Sequence, residues 1–174
     1  YPSEMLDQIY AIQKATGERV SHLVVMGTGE PFDNFESLCR MIELLCSPEG
    51  LNISHRNITV STCGIVPKIY EFADRNPQVT LAISLHSPND TMRKELMPIA
   101  NKYSMDELMK AAKYYTKTTG RRITFEYSLV AGVNDQPDEI REQKSLPKIA
   151  RMIYKAKRNR HDKRNDDRSA KLLS

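Results

Sequence analysis

The sequence predicts an α/β protein in which parallel strands alternate with helices, as in part of a (β/α) barrel. Four short apolar runs rich in β-branched residues alternate with segments whose apolar residues recur at helical spacing. Such alternation implies parallel strands joined by right-handed crossovers. Nothing in the order indicates the reversal of a doubly wound sheet. We therefore predict a fragment with about four βα units of a partial barrel.

The first predicted strand ends in a glycine-rich loop. Val24, Val25 and Met26 lie in one continuous apolar run, numbered 24–26, which is typical of a strand covered on both faces. The loop glycines tolerate positive φ and leave room for a ligand near the backbone. Pro31 favours an extended conformation at Glu30. Glu30 is therefore predicted to be a fixed anion that suits a ligand ammonium group, such as that of an amino acid, better than a phosphate.

The later elements follow the same pattern along the chain. The predicted strands are 57–61, 79–85 and 123–130, and the predicted helices are 5–15, 34–46 and 66–73. A further helix is expected to begin after Ser104, with Glu107 completing a capping box, and to end at Gly120. Because ligands bind at the carboxyl ends of parallel strands, the polar residues that follow the four strands should form one composite site.

Charge is distributed unevenly along the 174 residues. The whole chain has 26 Lys plus Arg against 22 Asp plus Glu, but residues 141–174 alone hold 12 basic and 4 acidic residues. We therefore divide the chain into a body, 1–140, and a basic tail, 141–174. A helix is predicted to begin near Ser145 and Pro147, with an apolar side made of Leu146, Ile149, Ile153 and Tyr154.

The rest of the tail, 155–171, has few apolar residues and is expected to be solvated or disordered. Two interpretations of the tail stay open at this point. It is either a loose polar terminus or an arm that binds nucleic acid.

The three cysteines do not form a recognisable metal-binding set. Cys39 and Cys46 lie seven residues apart on one predicted helical face, which favours small core residues over ligands. Cys63 follows a strand and is expected to line the site, but a single thiol does not hold a cluster. The sequence shows neither a signal peptide nor an apolar run of membrane-spanning length, so we expect a reduced, cytoplasmic setting and no membrane partner.

Five sequence blocks, in order, resemble one known family. They are VMGTGEP (25–31) with Asn34, STCGIVPK (61–68), ISLHSPND (83–90), LMPI (96–99), and TFEY (124–127) through GVND (132–135). The blocks are similar to those of the radical S-adenosylmethionine methyltransferases that modify adenine C2 in 23S ribosomal RNA and some transfer RNAs, the RlmN/Cfr family. A related resistance methyltransferase that modifies C8 of the same adenosine shares much of the pattern. The resemblance covers about residues 1–140 and implies a partial barrel of the radical SAM type.

The resemblance implies a site for S-adenosylmethionine. The Gly-Glu of the first block would contact the amino-acid end of the cofactor, the first serine of the second block would be another contact, and the Ser-Leu-His segment of the third a further one. The implied cofactor-binding residues are Gly29, Glu30, Ser61, Ser84, Leu85 and His86. Taken without the resemblance, His86 would be interpreted as a hydrogen-bonded structural histidine. The implied partners are 23S rRNA and tRNA, with an electron donor such as flavodoxin or ferredoxin.

The sequence also departs from the family pattern. The family's Cys-x3-Cys-x2-Cys loop, which holds a [4Fe–4S] cluster, has no counterpart here, and no catalytic residue or metal ligand is assigned. After Asp135 the family's Cys-x-Val-Asn-Leu-like strand does not appear. We therefore interpret the chain as a fragment or frame-disrupted product that is inactive alone. The alternatives are a non-catalytic remnant that binds S-adenosylmethionine or RNA, and one segment of a split enzyme.

We predict that this chain alone cannot assemble a [4Fe–4S] cluster, because its three separated cysteines cannot supply three converging thiolates. The measurement is anaerobic reconstitution with iron and sulfide, followed by iron analysis and absorption spectroscopy. Thiolate-to-iron charge-transfer absorption with about four irons per chain would contradict it.

Overall fold

The computed structural model describes residues 1–130, 133 and 134, and the backbone of 150–156. The described strands form one five-stranded sheet in which all neighbours are parallel and the spatial order equals the sequence order. The strands are β1 (Leu23–Val25), β2 (Ile58–Thr62), β3 (Thr80–Ser84), β4 (Ile123–Leu129) and β5 (Ala150–Ala156). This sequential order is that of a barrel segment and confirms the prediction against a doubly wound sheet.

Helices precede β1 and connect the strands from β1 to β4. They are α1 (Pro2–Thr16), α2 (Phe35–Cys46), α3 (Val66–Arg75), α4 (Asp90–Leu96) and α5 (Met105–Thr119), with short 3-10 helices at Pro31–Asn34, His55–Asn57 and Pro98–Asn101. Within the described ranges, no helix combines the length and apolarity needed to cross a lipid bilayer. The helix α5 has the predicted ends: Ser104 and Glu107 form the capping box, and Gly120 ends the helix with φ 68°.

The hydrophobic core lies between the helices and one face of the sheet. Along β4, buried and half-buried residues alternate, as expected for a strand with one apolar face. Three aromatic rings from the 3-10 helix after β1, from α2 and from α3 meet in this core, since the ring centre of Phe32 lies 5.6 Å from Phe35 and 5.3 Å from Phe72. Phe32 is therefore anchored immediately beside the loop that carries Glu30.

The structure corrects two predictions. The run 24–26 is not covered on both faces, because Val24 is 55% exposed and Met26 is 44% exposed; the helices cover only the other face of β1. In the tail, Ile153 and Tyr154 lie in β5 rather than in a helix, since the backbone of Ala150–Ala156 pairs with all seven residues of β4. Leu146, Ile149 and residues 157–171 lie outside the described residues.

We predict that Tyr115 stabilises the fold through its hydroxyl group. Tyr115 is fully buried in α5, and its hydroxyl donates to the backbone carbonyl of Val79 just before β3. Tyr115→Phe leaves that carbonyl without its donor and should lower the free energy of unfolding by about 1–3 kcal/mol. The measurement is equilibrium denaturation in urea.

Tyr114→Phe is the matched control on the same helix. The Tyr114 hydroxyl donates to Asp74 at 2.8 Å, but both groups are solvent-accessible. Its loss should change stability by less than about 0.5 kcal/mol. Equal effects of the two substitutions would contradict the role assigned to Tyr115.

Candidate functional site

The sheet has a second face that no described helix covers, and on β2, β3 and β4 the side chains of this face are small or polar. Side chains alternate along each strand, so the neighbours of core residues such as Val60, Ile83 and Phe125 point to the opposite face. That face carries Thr59, Ser61, Thr80, Ala82, Ser84, Thr124, Glu126 and Ser128. In a barrel this face lines the interior, so the sequence provides a lining with room and hydrogen-bonding groups for a polar ligand.

Strand register brings two of the predicted site residues together on this face. Ser61 is paired with Ala82, and Ser84 follows Ala82 by two residues on the same side of β3. Ser61 is only 6% exposed, and Ser84 is half-buried. Ser61 and Ser84 are therefore diagonal neighbours on adjacent strands, near the carboxyl edge of the sheet.

The loop after β1 has the predicted geometry. Gly27 and Gly29 both adopt positive φ, 49° and 102°, and Glu30 is extended with φ −107° and ψ 115°. One Glu30 carboxylate oxygen accepts the N–H of Phe32 at 3.0 Å, and the other accepts the N–H of Cys63 at 2.6 Å. The Glu30 carboxylate thus connects the loop after β1 to the loop after β2.

A buried arginine that the sequence did not predict also holds the loop after β2. Arg93, on α4, is completely buried, and its Nη2 donates to the carbonyl of Cys63 at 2.7 Å. Desolvation by burial lowers its pKa. Among the described residues its Nε and Nη1 have no hydrogen-bond partner. In a short helix beside Lys94 and Glu95, Arg93 carries no sequence signal that separates it from a solvated surface residue.

Gly64, the residue after Cys63, has no room for a side chain because Arg93 and Leu108 pack against it. Gly64 has φ 104°, and a Cβ there would lie 3.2 Å from Arg93 Nη2 and 3.0 Å from the side chain of Leu108. The loop therefore packs directly on the buried guanidinium. Arg93, from the segment after β3, joins the loops after β2 and β3 as Glu30 joins those after β1 and β2.

His86 is fixed to the end of β4. Its backbone is left-handed, with φ 56°, and its Nδ1 accepts the N–H of Ser128 at 3.1 Å. The buried side chain of Asn134 donates to the carbonyls of His86 and Ser128, both at 2.9 Å, and accepts the N–H of Val130 at 2.7 Å. Asn134 belongs to the GVND block but was not predicted to act on the site, because this contact spans 48 residues.

Leu85 differs from the other predicted site residues. Its side chain is completely buried in the core on the helix side of the sheet, and its N–H donates to the carbonyl of Glu126 at 2.9 Å. Any contact of Leu85 with a ligand would therefore come from its backbone. The structure places Gly29, Glu30, Ser61, Ser84 and His86 at or just beyond the carboxyl ends of β1 to β3.

Comparisons with known proteins identify the family of this chain. Residues 1–143 match the model of the radical SAM superfamily. The chain belongs to the radical SAM superfamily. It is also similar to a crystal structure of a radical SAM methyltransferase from Sphaerobacter thermophilus, with a TM-score of 0.79 and 40% sequence identity over 89% of this chain and 45% of that one.

Curated relatives of this radical SAM chain share one name. A probable dual-specificity RNA methyltransferase RlmN from Lachnospira eligens is 69% identical over 134 residues, which is 77% of this chain and 38% of the relative. One of the same name from Clostridium botulinum is 59% identical over 146 residues, 84% of this chain and 42% of the relative. The chain thus spans about two fifths of the length of these relatives, and the predicted resemblance is confirmed.

The described residues do not fit an iron–sulfur cluster. They contain no group of three or more Cys, His, Asp or Glu side chains arranged to hold a metal ion. Cys39 is buried in the core with its sulfur accepting from Asn76, Cys46 is half-buried at the end of α2, and Cys63 lies in the loop after β2. The prediction that this chain alone forms no cluster still awaits its reconstitution test.

We predict that the Cys63 thiol is unreactive in the folded chain. Burial and the adjacent Glu30 carboxylate raise its pKa from 9.0 to about 12. At pH 8 its thiolate fraction should be roughly a thousandfold below that of an unperturbed thiol, so iodoacetamide should modify it correspondingly slowly. The rate should rise with pH up to about 12.

The measurement is mass spectrometry of the peptide that contains Cys63 after timed alkylation. The same chain in denaturing urea is the control, because unfolding removes both causes of the shift and should restore ordinary reactivity. Rapid alkylation of Cys63 in the folded chain at pH 8 would show that the raised pKa is wrong.

Proposed function

We propose that this chain provides the site for the amino-acid end of S-adenosylmethionine in a dual-specificity methyltransferase that modifies adenine C2 of 23S rRNA and tRNA. The position of the Glu30 carboxylate carries this proposal. It is fixed by two backbone N–H groups at the carboxyl edge of a parallel sheet, where ligands of such folds bind. The names of the relatives support the reaction class.

The carboxylate is suited to an ammonium group. Each oxygen of Glu30 accepts one described N–H, which leaves a further acceptor site on each oxygen. An ammonium donates up to three hydrogen bonds, and such charge-assisted bonds are short and strong. Gly29 has no side chain to block the approach, and nothing lies within 4 Å of the position that its Cβ would occupy.

Ser61, Ser84 and His86 would complete the contact surface. The two serines present small hydroxyl-bearing side chains on the polar face, where they leave space and offer both donors and acceptors. His86 is held in one orientation by Ser128 and Asn134, so its backbone and ring present a fixed edge. When bound, S-adenosylmethionine supplies the methyl group that is transferred.

The remaining features belong to the whole protein and are proposed for it only. They are a [4Fe–4S] cluster bound by residues other than the described ones, an electron donor such as flavodoxin or ferredoxin, RNA substrates and a cytoplasmic location. The resemblance and the names of the relatives support these features. C8 methylation stays the alternative outcome of an RNA product analysis.

We predict that Glu30→Gln weakens binding of S-adenosylmethionine. The substitution removes the anion that pairs with the ammonium group, an interaction worth about 1.5–3 kcal/mol, so the dissociation constant should rise about 10- to 100-fold. Isothermal titration calorimetry of this chain measures the change. The same substitution at the matching glutamate of the full-length relative from Lachnospira eligens repeats the test in a longer protein.

Glu43→Gln is the matched control, because Glu43 lies on the exposed side of α2 and pairs only with Arg40 among the described residues. It should leave the dissociation constant unchanged. Circular dichroism of both variants separates loss of binding from loss of folding. Unchanged affinity in Glu30→Gln, or no binding by the unsubstituted chain, would contradict the proposed site.

A further inference from the structure

A cleft lies at the amino end of the sheet, opposite the proposed cofactor loops. Its volume is about 150 Å³, and its walls are formed by Arg56, Pro77, Gln78, Thr119 and Arg121. Three of these residues come from the segments that immediately precede three neighbouring strands: Arg56 before β2, Gln78 before β3 and Arg121 before β4. The cleft is smaller than the roughly 300–1,000 Å³ of pockets for drug-sized ligands, so it suits a single small group.

The cleft presents an excess of hydrogen-bond donors. The side-chain oxygen of Gln78 already accepts the Nε–H of Arg56 at 3.3 Å, and that of Thr119 accepts the backbone N–H of Arg121 at 3.1 Å. Arg56 has no described partner for its terminal nitrogens, and the buried Nε of Arg121 has none either. A ligand that completes these bonds must therefore be an acceptor.

The charge of the cleft is also uncompensated. In the part of the chain that the structure describes, neither Arg56 nor Arg121 has a carboxylate within ion-pair distance. Arg121 is held in place because its Nη2 donates to Thr80 at 2.7 Å, so part of the entropy of positioning it is already lost before a ligand binds. Two guanidinium groups, one from the 3-10 helix before β2 and one from the segment before β4, match the several oxygens of a tetrahedral oxyanion.

We propose that this cleft binds a phosphate group. The phosphate is either free inorganic phosphate or a phosphodiester of an RNA strand, and both present the same oxygens to the two arginines. The proposal uses none of the residues of the cofactor loops, so it stands or falls separately from the proposed methyltransferase function.

The first experiment is a titration of the full chain with inorganic phosphate, followed through the Nε–H signals of arginine in ¹H–¹⁵N NMR spectra. Sodium chloride at the same ionic strength is the comparison. Phosphate should shift the Arg121 signal to saturation, and chloride should not. Arg56→Gln should weaken the interaction at least about tenfold, because it removes one charged donor group.

Arg40→Gln is the matched control, since Arg40 is an exposed arginine on α2 that pairs with Glu43; it should bind phosphate like the unsubstituted chain. Arg121→Lys keeps the charge but removes the buried Nε donor and should also weaken binding. Circular dichroism checks the folding of each variant. Equal responses to phosphate and chloride, or unchanged phosphate binding in Arg56→Gln, would overturn the proposal.

The second experiment distinguishes the two sources of the phosphate. Fluorescence anisotropy measures binding of a labelled single-stranded RNA oligonucleotide to the same variants at several salt concentrations. If the source is RNA, Arg56→Gln should weaken RNA binding and lower its salt dependence, whereas Arg40→Gln should do neither. If the source is free phosphate, Arg56→Gln should lose phosphate binding and keep RNA binding. If Arg56→Gln keeps both phosphate binding and RNA binding, the proposal is wrong.

Discussion

The proposed site depends on one carboxylate that two backbone N–H groups hold in place. Glu30 accepts from Phe32, which is packed in the aromatic part of the core, and from Cys63, which directly follows β2. The core and the sheet therefore position the same anion from two sides. Because hydrogen bonds to a charged acceptor are about twice as strong as neutral ones, this arrangement is also a means of joining the two loops. The structural role of Glu30 and its proposed binding role use different lone pairs and do not exclude each other.

Arg93, in the segment after β3, extends this arrangement to the third strand end. A gain in stability alone does not explain why an arginine is buried there. A completely buried guanidinium loses its hydration, and Arg93 regains only one described hydrogen bond, to the carbonyl of Cys63. Well-packed apolar residues often replace buried charges without loss of stability. The contact does, however, fix the carbonyl of Cys63, the residue whose N–H donates to Glu30. The loop after β2 is thus held at Cys63 by an anion from the loop after β1 and a cation from α4.

The sequence predicted most reliably the features that local chemistry decides. The caps of α5 at Ser104, Glu107 and Gly120 are set within a few residues of the helix ends, and so were correct. Glu30, at a strand end beside a proline, was likewise predictable as a fixed anion. By contrast, the contacts of Arg93 and Asn134 span 30 and 48 residues and depend on tertiary packing. The helix α4 was also missed, since it is only seven residues long and has one fully buried side chain, which is charged.

The prediction of a helix through Ile153 and Tyr154 was wrong for a related reason. The segment 150–156 reads ARMIYKA, and its apolar residues fit a helix through Ile153 and Tyr154 and a strand through Met152, Tyr154 and Ala156. Local pattern cannot decide between these periods in so short a segment. The edge of β4 decides in favour of a strand. Without β5, the N–H and C=O groups along this edge of β4 would have no partners in the sheet, and β5 supplies them over the whole length of β4.

The two proposed sites lie at opposite ends of the same strands, and this separation weakens the electrostatic coupling between them. From Arg56 to Cys63 the chain runs along the whole of β2, which at about 3.3 Å per residue corresponds to roughly 20 Å. The Debye length at physiological ionic strength is about 8 Å, so the exposed guanidinium of Arg56 contributes little to the potential at Glu30, whereas the partly buried Arg121 is screened less. One end therefore favours a cation and the other an anion within a single sheet. Coupling between the two sites through the position of the strands would not depend on this screening.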